Sequence, residues 1–168
     1  MSVNYRSLVW QFRRLEMLQR VIGGQIVSSA GLQRGRLPIL EYVYYHPGVS
    51  QRTIAQVLHV SPASVAVTVR RMEGDGLLRR EGDDRDHRIN RIYATPEGEA
   101  KTLECRRAFD ATDMRTFVGF SQEELALLSA MCERMFENLS GEDYPDPPFF
   151  PAWMLTENII NHEEDPNA

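Results

Sequence analysis

The sequence predicts a mainly helical protein with one small antiparallel β-hairpin, and three observations indicate this fold class. Apolar residues recur at three- and four-residue steps through most of the first 140 residues, the period of helices that bury one face. Capping hydroxyls mark four helix starts, at Ser50, Ser61, Thr95 and Ser121, and proline follows two of them. Two short β-type segments flank a charged turn at residues 82–88.

The predicted elements follow one another with short connections. The first helix spans residues 5–30 and stops near Gly31, and a second runs from Gln33 to His46 before a Pro-Gly turn. The others are helices at 51–59 and 62–75, strands at 77–81 and 89–95, and helices at 95–118 and 121–139. The segment 141–151 is rich in proline and predicted to be extended, with one more short helix at 153–161.

The helices at 51–59 and 62–75, joined by a tight turn, have the proportions of a helix-turn-helix unit. Val65, Val69 and Met72 form an apolar stripe that should pack inward. The β-branched residues of this second helix lower its helix propensity. The Ser-Pro start and the spacing outweigh a preference of only about tenths of a kcal/mol per residue.

The opposite face of the second helix is predicted to contact DNA. In such units the N-terminal residues of the second helix lie in the major groove. Small side chains near the start of the helix allow a close approach to the bases, and the arginines further along can bind phosphates. The predicted DNA contacts from the two helices are Ser50, Gln51, Ser61, Pro62, Ala63, Ser64, Ala66, Val67, Arg70 and Arg71.

The hairpin turn is longer and more charged than a sheet requires, since most hairpin loops have about two to five residues. An arginine-bearing loop beside the second helix can cross a phosphate backbone and enter the minor groove. Asp86 and Arg88 are two residues apart and could pair, which would hold the arginine extended. We therefore predict DNA contacts from Arg85, Asp86, Arg88 and Arg91, and a winged helix-turn-helix fold.

The net charge of −5 is unevenly distributed along the chain. Residues 1–32 have a net charge of +3 and residues 33–98 of +2, whereas residues 99–168 have −10. Because screening limits electrostatic attraction to roughly 10 Å, local charge decides phosphate binding. The pattern indicates a basic DNA-binding region attached to an acidic body.

Residues 32–98 resemble the multiple-antibiotic-resistance-regulator (MarR) family of winged helix-turn-helix transcriptional regulators. The resemblance rests on the segments 48–51, 60–65 and 71–77, on the wing pattern Asp86-x-Arg88-x-x-Arg91, and on residues 94–98. It implies a homodimer on near-palindromic operator DNA, acting as a repressor that a small aromatic or phenolic effector releases. This sequence has Ala66 and Val67 where the family commonly has Ser-Arg, so its operator should differ from a typical one.

The resemblance also implies the division of the chain. Residues 1–32 and 99–140 would form a region of N- and C-terminal dimerisation helices, residues 33–98 the winged helix-turn-helix DNA-binding domain, and residues 141–168 a C-terminal extension. The first helix supports dimerisation, because it has more apolar surface than a small winged domain can cover.

Aromatic and cationic residues on the first two helices suggest an effector site. Trp10, Tyr42 and Tyr45 could line a cleft, and Arg13 and Arg14 could pair with an anionic group of a phenol or aromatic carboxylate. The alternative is that these rings complete the core and that no effector binds.

No motif in the sequence indicates an enzyme, a cofactor or a metal site. No apolar run is long enough to span a membrane and no signal peptide is recognisable, so we expect a cytoplasmic protein. Two alternatives remain open. A winged helix can bind proteins instead of DNA, and Cys105 or Cys132 could make the regulator redox-responsive, although both are expected to be packing residues.

Overall fold

The computed structural model describes residues 4–33, 35–82 and 90–140. Within these residues the chain forms helices and one small sheet, as the sequence predicts. The helices are α1 (Tyr5–Ser29), α2 (Leu37–Tyr45), α3 (Gln51–Val57), α4 (Pro62–Gly74), α5 (Pro96–Thr116) and α6 (Gln122–Ser140). The strands are β1 (Val49–Ser50), β2 (Leu78–Gly82) and β3 (Asn90–Ala94).

The four predicted helix caps are confirmed. The side-chain oxygens of Ser50, Ser61, Thr95 and Ser121 each accept a hydrogen bond from the backbone N–H three residues later, at 3.1–3.2 Å. Glu124 completes a capping box, because its Oε2 accepts from the N–H of Ser121 at 2.8 Å. These local bonds set the starts of α3, α4, α5 and α6.

Left-handed backbone explains two of the differences between the predicted and the observed helix boundaries. The second helix begins at Leu37 rather than Gln33, because Gly35 has φ +81° and interrupts helical geometry before it. The third helix ends at Val57 rather than His59, since His59 itself has φ +50° and turns the chain toward α4.

The sheet has three antiparallel strands in the order β1-β3-β2. The β2–β3 hairpin is paired from Leu78 with Ala94 to Gly82 with Asn90, which confirms each predicted strand to within one residue at either end. The sequence did not predict β1, whose two residues are too few to show an alternating pattern. The turn at 83–89 lies outside the described residues.

The core lies between α2, the helix-turn-helix, the sheet and the first half of α5. The predicted stripe of Val65, Val69 and Met72 is confirmed as fully buried in it. At Gly98, an added Cβ would lie 2.1 Å from the carbonyl oxygen of Leu77. Only glycine therefore allows the first turn of α5 to pack this closely against the start of the hairpin.

The terminal helices α1 and α6 contain no buried residue. The C-terminal part of α1 packs against α5. Ile26 and Val27 of α1 are partly buried there, and so is Phe109 of α5. The rest of α1 leaves a row of large apolar side chains exposed: Tyr5, Leu8, Val9, Trp10, Phe12, Leu15, Met17, Leu18 and Val21. None of the helices in the described ranges is long and apolar enough to cross a membrane.

Candidate nucleic-acid interface

The helix-turn-helix unit consists of α3 and α4, held against each other by their inner faces. Ile54 and Ala55 of α3 are buried together with Val65 and Val69 of α4. The backbone N–H of Val60 donates to the carbonyl of Ala55 at 3.1 Å and closes the turn between the helices. This packing fixes which face of α4 is available to a partner.

The exposed face of α4 has the composition predicted for a recognition helix. Pro62, Ala63, Ser64 and Val67 are exposed near its start, and Ala66 is half-buried beside them. The Ser61 and Ser64 hydroxyls are 2.8 Å apart and bond to each other, and Ser61 Oγ also caps the helix by accepting from the backbone N–H of Ser64. The first two turns of α4 therefore present short side chains, which is the shape that a close approach to base edges requires.

Arg70 and Arg71 extend this face toward the C-terminal half of α4, and both are exposed. Among the described residues neither forms an ion pair, whereas the neighbouring Arg80 is paired with Glu73 at 2.8 Å. An arginine without an acidic partner has its positive charge and its forked N–H donors available to bind phosphate.

The recognition helix is anchored at its other end by Arg36, a residue that the sequence analysis did not single out. The Arg36 side chain is 8% exposed and pairs with Asp75, the residue that ends α4. Its second guanidinium nitrogen donates to Gln33 Oε1 at 3.0 Å. The Arg36–Asp75 contact joins residues 39 positions apart, and no local pattern in the sequence indicates it.

The predicted contacts at the start of α3 are engaged within the protein. Ser50 Oγ caps the helix and lies 2.8 Å from Thr53 Oγ1. Gln51 is half-buried, and its Nε2 is buried without a hydrogen-bond partner among the described residues. Their role in DNA binding stays a prediction.

The base of the wing is well packed around Gly48. Arg91 on β3 is half-buried, and its guanidinium donates to the carbonyl of Gly48 at 3.3 Å. The guanidinium of Arg79 lies 4.5 Å from the centre of the Tyr93 ring, which in turn approaches Gly48. The predicted contacts Arg85, Asp86 and Arg88 lie outside the described residues.

The predicted effector residues are spread over two helices. Trp10 is 60% exposed, with the Arg14 guanidinium 5.5 Å from its ring centre, and Arg13 is exposed nearby. Tyr42 is buried against the ring of His46 at 4.4 Å, and Tyr45 lies partly exposed beside Tyr44 at 5.0 Å.

A cavity of about 910 Å³ lies elsewhere, between α1, α2 and α5, and none of the five predicted effector residues lines it. Its walls contain Glu41, a buried carboxyl at the middle of α2. Burial raises the pKa of Glu41 to about 7, although Arg106 nearby opposes this shift. The sequence analysis did not identify the cavity, because its lining comes from three separate helices.

The two cysteines occupy different surroundings. Cys105 is fully buried, and burial raises the pKa of its thiol, which disfavours the reactive thiolate. Cys132 on α6 is exposed. Within the part of the chain that the structure describes, no group of three or more His, Cys, Asp or Glu side chains could hold a metal ion.

Comparison with known proteins gives consistent matches. A family model described as the MarR family matches residues 30–89. The HTH-type transcriptional regulator YybA of Bacillus subtilis (strain 168) is 25% identical over 111 residues, which are 66% of this chain and 74% of YybA. The crystal structure of the transcriptional regulator SlyA is 27% identical with a TM-score of 0.60, covering 77% of this chain and 93% of SlyA. An S. aureus MepR mutant bound to an oligodeoxyribonucleotide shares the fold, with 24% identity and a TM-score of 0.64 over 82% of this chain and 99% of MepR.

Proposed function

Because this chain belongs to the MarR family of transcriptional regulators, we propose that it binds a near-palindromic operator as a homodimer and represses transcription until a small ligand releases it. The premise of this proposal is that the chain is a transcriptional regulator with a DNA-binding winged helix-turn-helix fold.

The exposed face of α4 is the observation that most directly supports operator binding. Its first two turns present short side chains, and Arg70 and Arg71 follow without an acidic partner in the described residues. Phosphate contacts position a protein on DNA and base-edge contacts give specificity, so this order of side chains suits a helix inserted by its N-terminal half. Residues 33–98, which include this face, have a net charge of +2 in a chain whose net charge is −5.

The exposed apolar surface of the terminal helices supports a homodimer. The α1 row includes Trp10 at 60% and Met17 at 64% exposure, and α6 adds Leu127 and Leu139 at 58% and 82%. Monomeric proteins rarely leave so continuous an apolar surface in water. A second copy related by a two-fold axis would cover it and would place two α4 helices on successive turns of DNA.

The position of the cavity supports a response to a ligand. Leu37 and Pro38, at the start of α2, line the cavity, and Arg36 directly before them holds Asp75 at the end of α4. A ligand that binds one position of α2 better than another would therefore shift the recognition helix as well. A tenfold loss of operator affinity needs only about 1.4 kcal/mol of such differential binding.

Binding of selected DNA at several salt concentrations tests the proposal. An operator would first be obtained by unbiased selection from random duplexes, and affinity then measured by fluorescence anisotropy. Arg70→Ala and Arg71→Ala should each weaken binding and reduce the salt slope by about one unit, since each removes about one phosphate contact. Arg107→Ala, an exposed arginine on α5, is the matched control and should change neither quantity.

The same experiment separates the alternative functions. If the wild-type protein selects no DNA sequence, or if Arg70→Ala and Arg71→Ala leave the salt slope unchanged, α4 does not bind DNA and a protein-binding winged helix becomes the better interpretation. Arg88→Ala tests the wing in the same way. A redox response would require operator affinity to change on oxidation and to become insensitive in a Cys105→Ser or Cys132→Ser variant.

A further inference from the structure

The cavity between α1, α2 and α5 has mainly apolar walls. Its volume of about 910 Å³ lies within the range of small-molecule sites, about 300–1,000 Å³. Phe109 of α5 provides an aromatic wall, and Gly23 and Gly24 of α1 leave room opposite it. The other apolar lining residues are Val27, Leu32, Leu37 and Pro38. The walls therefore suit a ligand with an apolar body of one or two rings.

The charged lining residues are not balanced. The two arginines each have an acid nearby: Arg20 Nη2 lies 2.6 Å from Glu16, and Arg106 Nε lies 3.4 Å from Asp110. Glu41 and Asp113 form no ion pair in the described ranges, and both line the cavity. The lining thus has three carboxyl groups, on Glu41, Asp110 and Asp113, against two arginines, and this excess of acids favours a cationic ligand.

Glu41 is the lining acid that has a buried and unsatisfied oxygen among the described residues, and the Nε of Arg106 is likewise buried without a hydrogen-bond partner there. Glu41 is 3% exposed, and its Oε2 is buried with no hydrogen-bond partner in the described ranges. A carboxylate oxygen that is buried without a donor costs free energy that a bound donor would recover. Arg106 and Asp110 of α5 are the charged groups that act on Glu41, and Asp113 of α5 and Arg20 of α1 line the same cavity.

We propose that this cavity binds an organic cation with an apolar body, whose ammonium group donates to Glu41 while its rings pack against Phe109. Asp113 of α5 would add a second negative charge to the lining of the cavity. The inference rests on the ligand response proposed above and names the chemical class of the ligand. It replaces the aromatic carboxylate that the sequence suggested, because that anion would meet the unpaired acids.

Direct binding to the protein without DNA tests this site. Three probes share a naphthylmethyl body and differ in the polar group that it bears: naphthalenemethylammonium is cationic, naphthalenemethanol is neutral and naphthaleneacetate is anionic. Calorimetry near pH 8, where Glu41 is mostly ionised, should give the tightest binding for the ammonium and the weakest for the carboxylate. Affinity for the ammonium should fall by about tenfold near pH 6, since Glu41 with its pKa of about 7 must lose a proton to pair with the cation.

Two substitutions locate the binding. Glu41→Gln keeps the shape of the side chain and removes its charge, so affinity for the ammonium should fall at least about tenfold while that for the alcohol stays similar. Gly24→Leu adds bulk at the cavity wall, where a Cβ would meet no atom within 4 Å, and should weaken all three probes. Glu104→Gln on α5, an exposed acid that does not line this cavity, is the control and should change none of them.

The outcomes separate this inference from the proposed function. Tighter binding of the carboxylate than the ammonium, or equal ammonium affinity in wild type and Glu41→Gln, would overturn the cation site. Equal binding in Gly24→Leu and wild type would place the probe outside the cavity and overturn it too. If instead the ammonium binds through Glu41 but leaves operator affinity unchanged, the cation site stands and the proposed ligand response fails.

Discussion

Replacing Glu41 with glutamine should stabilise the folded protein at neutral and alkaline pH and change little in acid. Glu41 is buried, and its pKa rises from 4.5 to about 7 on folding. Between these two values the folded state binds more protons than the unfolded state, so the free energy of unfolding falls as pH rises. The contribution of the Glu41 side chain to the free energy of unfolding is therefore fully present below about pH 4.5, and it is lost as pH increases through about 7. Glutamine, which is never ionised, avoids this loss.

The magnitude follows from the pKa shift. Each unit of pKa difference corresponds to about 1.4 kcal/mol, so the ionised Glu41 lowers the free energy of unfolding by about 3 kcal/mol at pH 8. For a chain of this size the Glu41→Gln variant should melt about 6–12 °C higher than the wild type at pH 8. Near pH 4.5 the two melting temperatures should nearly coincide.

Urea unfolding followed by circular dichroism, at a fixed protein concentration and at several pH values from about 4.5 to 8.5, measures this difference. The matched control is Glu104→Gln, which removes an exposed carboxylate 3.6 Å from Lys101 on the surface of α5. Exposed pairs contribute less than about 1 kcal/mol, so the control should follow the wild type across the range. A stability difference between Glu41→Gln and wild type that does not grow with pH would refute the burial argument.

Three further perturbations test the anchoring of α4, the packing of α5 and the dimer. Arg36→Met should lower the free energy of unfolding by about 1–3 kcal/mol and weaken operator binding, since it removes the Arg36–Asp75 ion pair at the end of α4. If urea unfolding gives the same stability and anisotropy the same operator affinity as for the wild type, Arg36 does not anchor α4. Gly98→Ala should lower the free energy of unfolding, measured in urea, by about 3 kcal/mol, because its Cβ would lie 2.1 Å from the Leu77 carbonyl oxygen. Gly24→Ala has open space around it and should raise the free energy of unfolding by about 0.5–1 kcal/mol. Similar effects at the two glycines would contradict the packing of α5. Leu15→Glu on the exposed face of α1 should convert a dimer to a monomer in sedimentation, whereas an unaltered sedimentation coefficient would remove this face from the interface.

Features that depend on neighbouring residues could be predicted from the sequence. The caps at Ser61 and Thr95 are bonds to an N–H only three residues away, so the side chain and its partner are visible in one short segment. The inward stripe of α4 was also predictable, although its β-branched residues favour a strand. Burial of three side chains stabilises the helix by more than the lower helix propensity of the β-branched residues destabilises it.

Features that depend on residues distant in the chain could not be predicted. Strand β1 is defined only by its pairing with β3, about forty residues later, and Arg36 finds Asp75 at a similar separation. The suggested grouping of Trp10 with Tyr42 assumed that aromatic residues on adjacent helices share a cleft. In the folded chain Trp10 lies exposed beside Arg14.

The sequence by itself determined the fold class, the recognition helix and the order of short and cationic side chains along it, because helical period and capping are local properties. Only the tertiary structure decided where a ligand could bind. Glu41 resembles any other acid in the sequence, and its pKa is raised because α5 packs against α2 in the folded chain and the carboxyl is buried. Its Oε2 then has no hydrogen-bond partner among the described residues. Desolvation depends on every element that surrounds a group, so it exists only once the chain has folded.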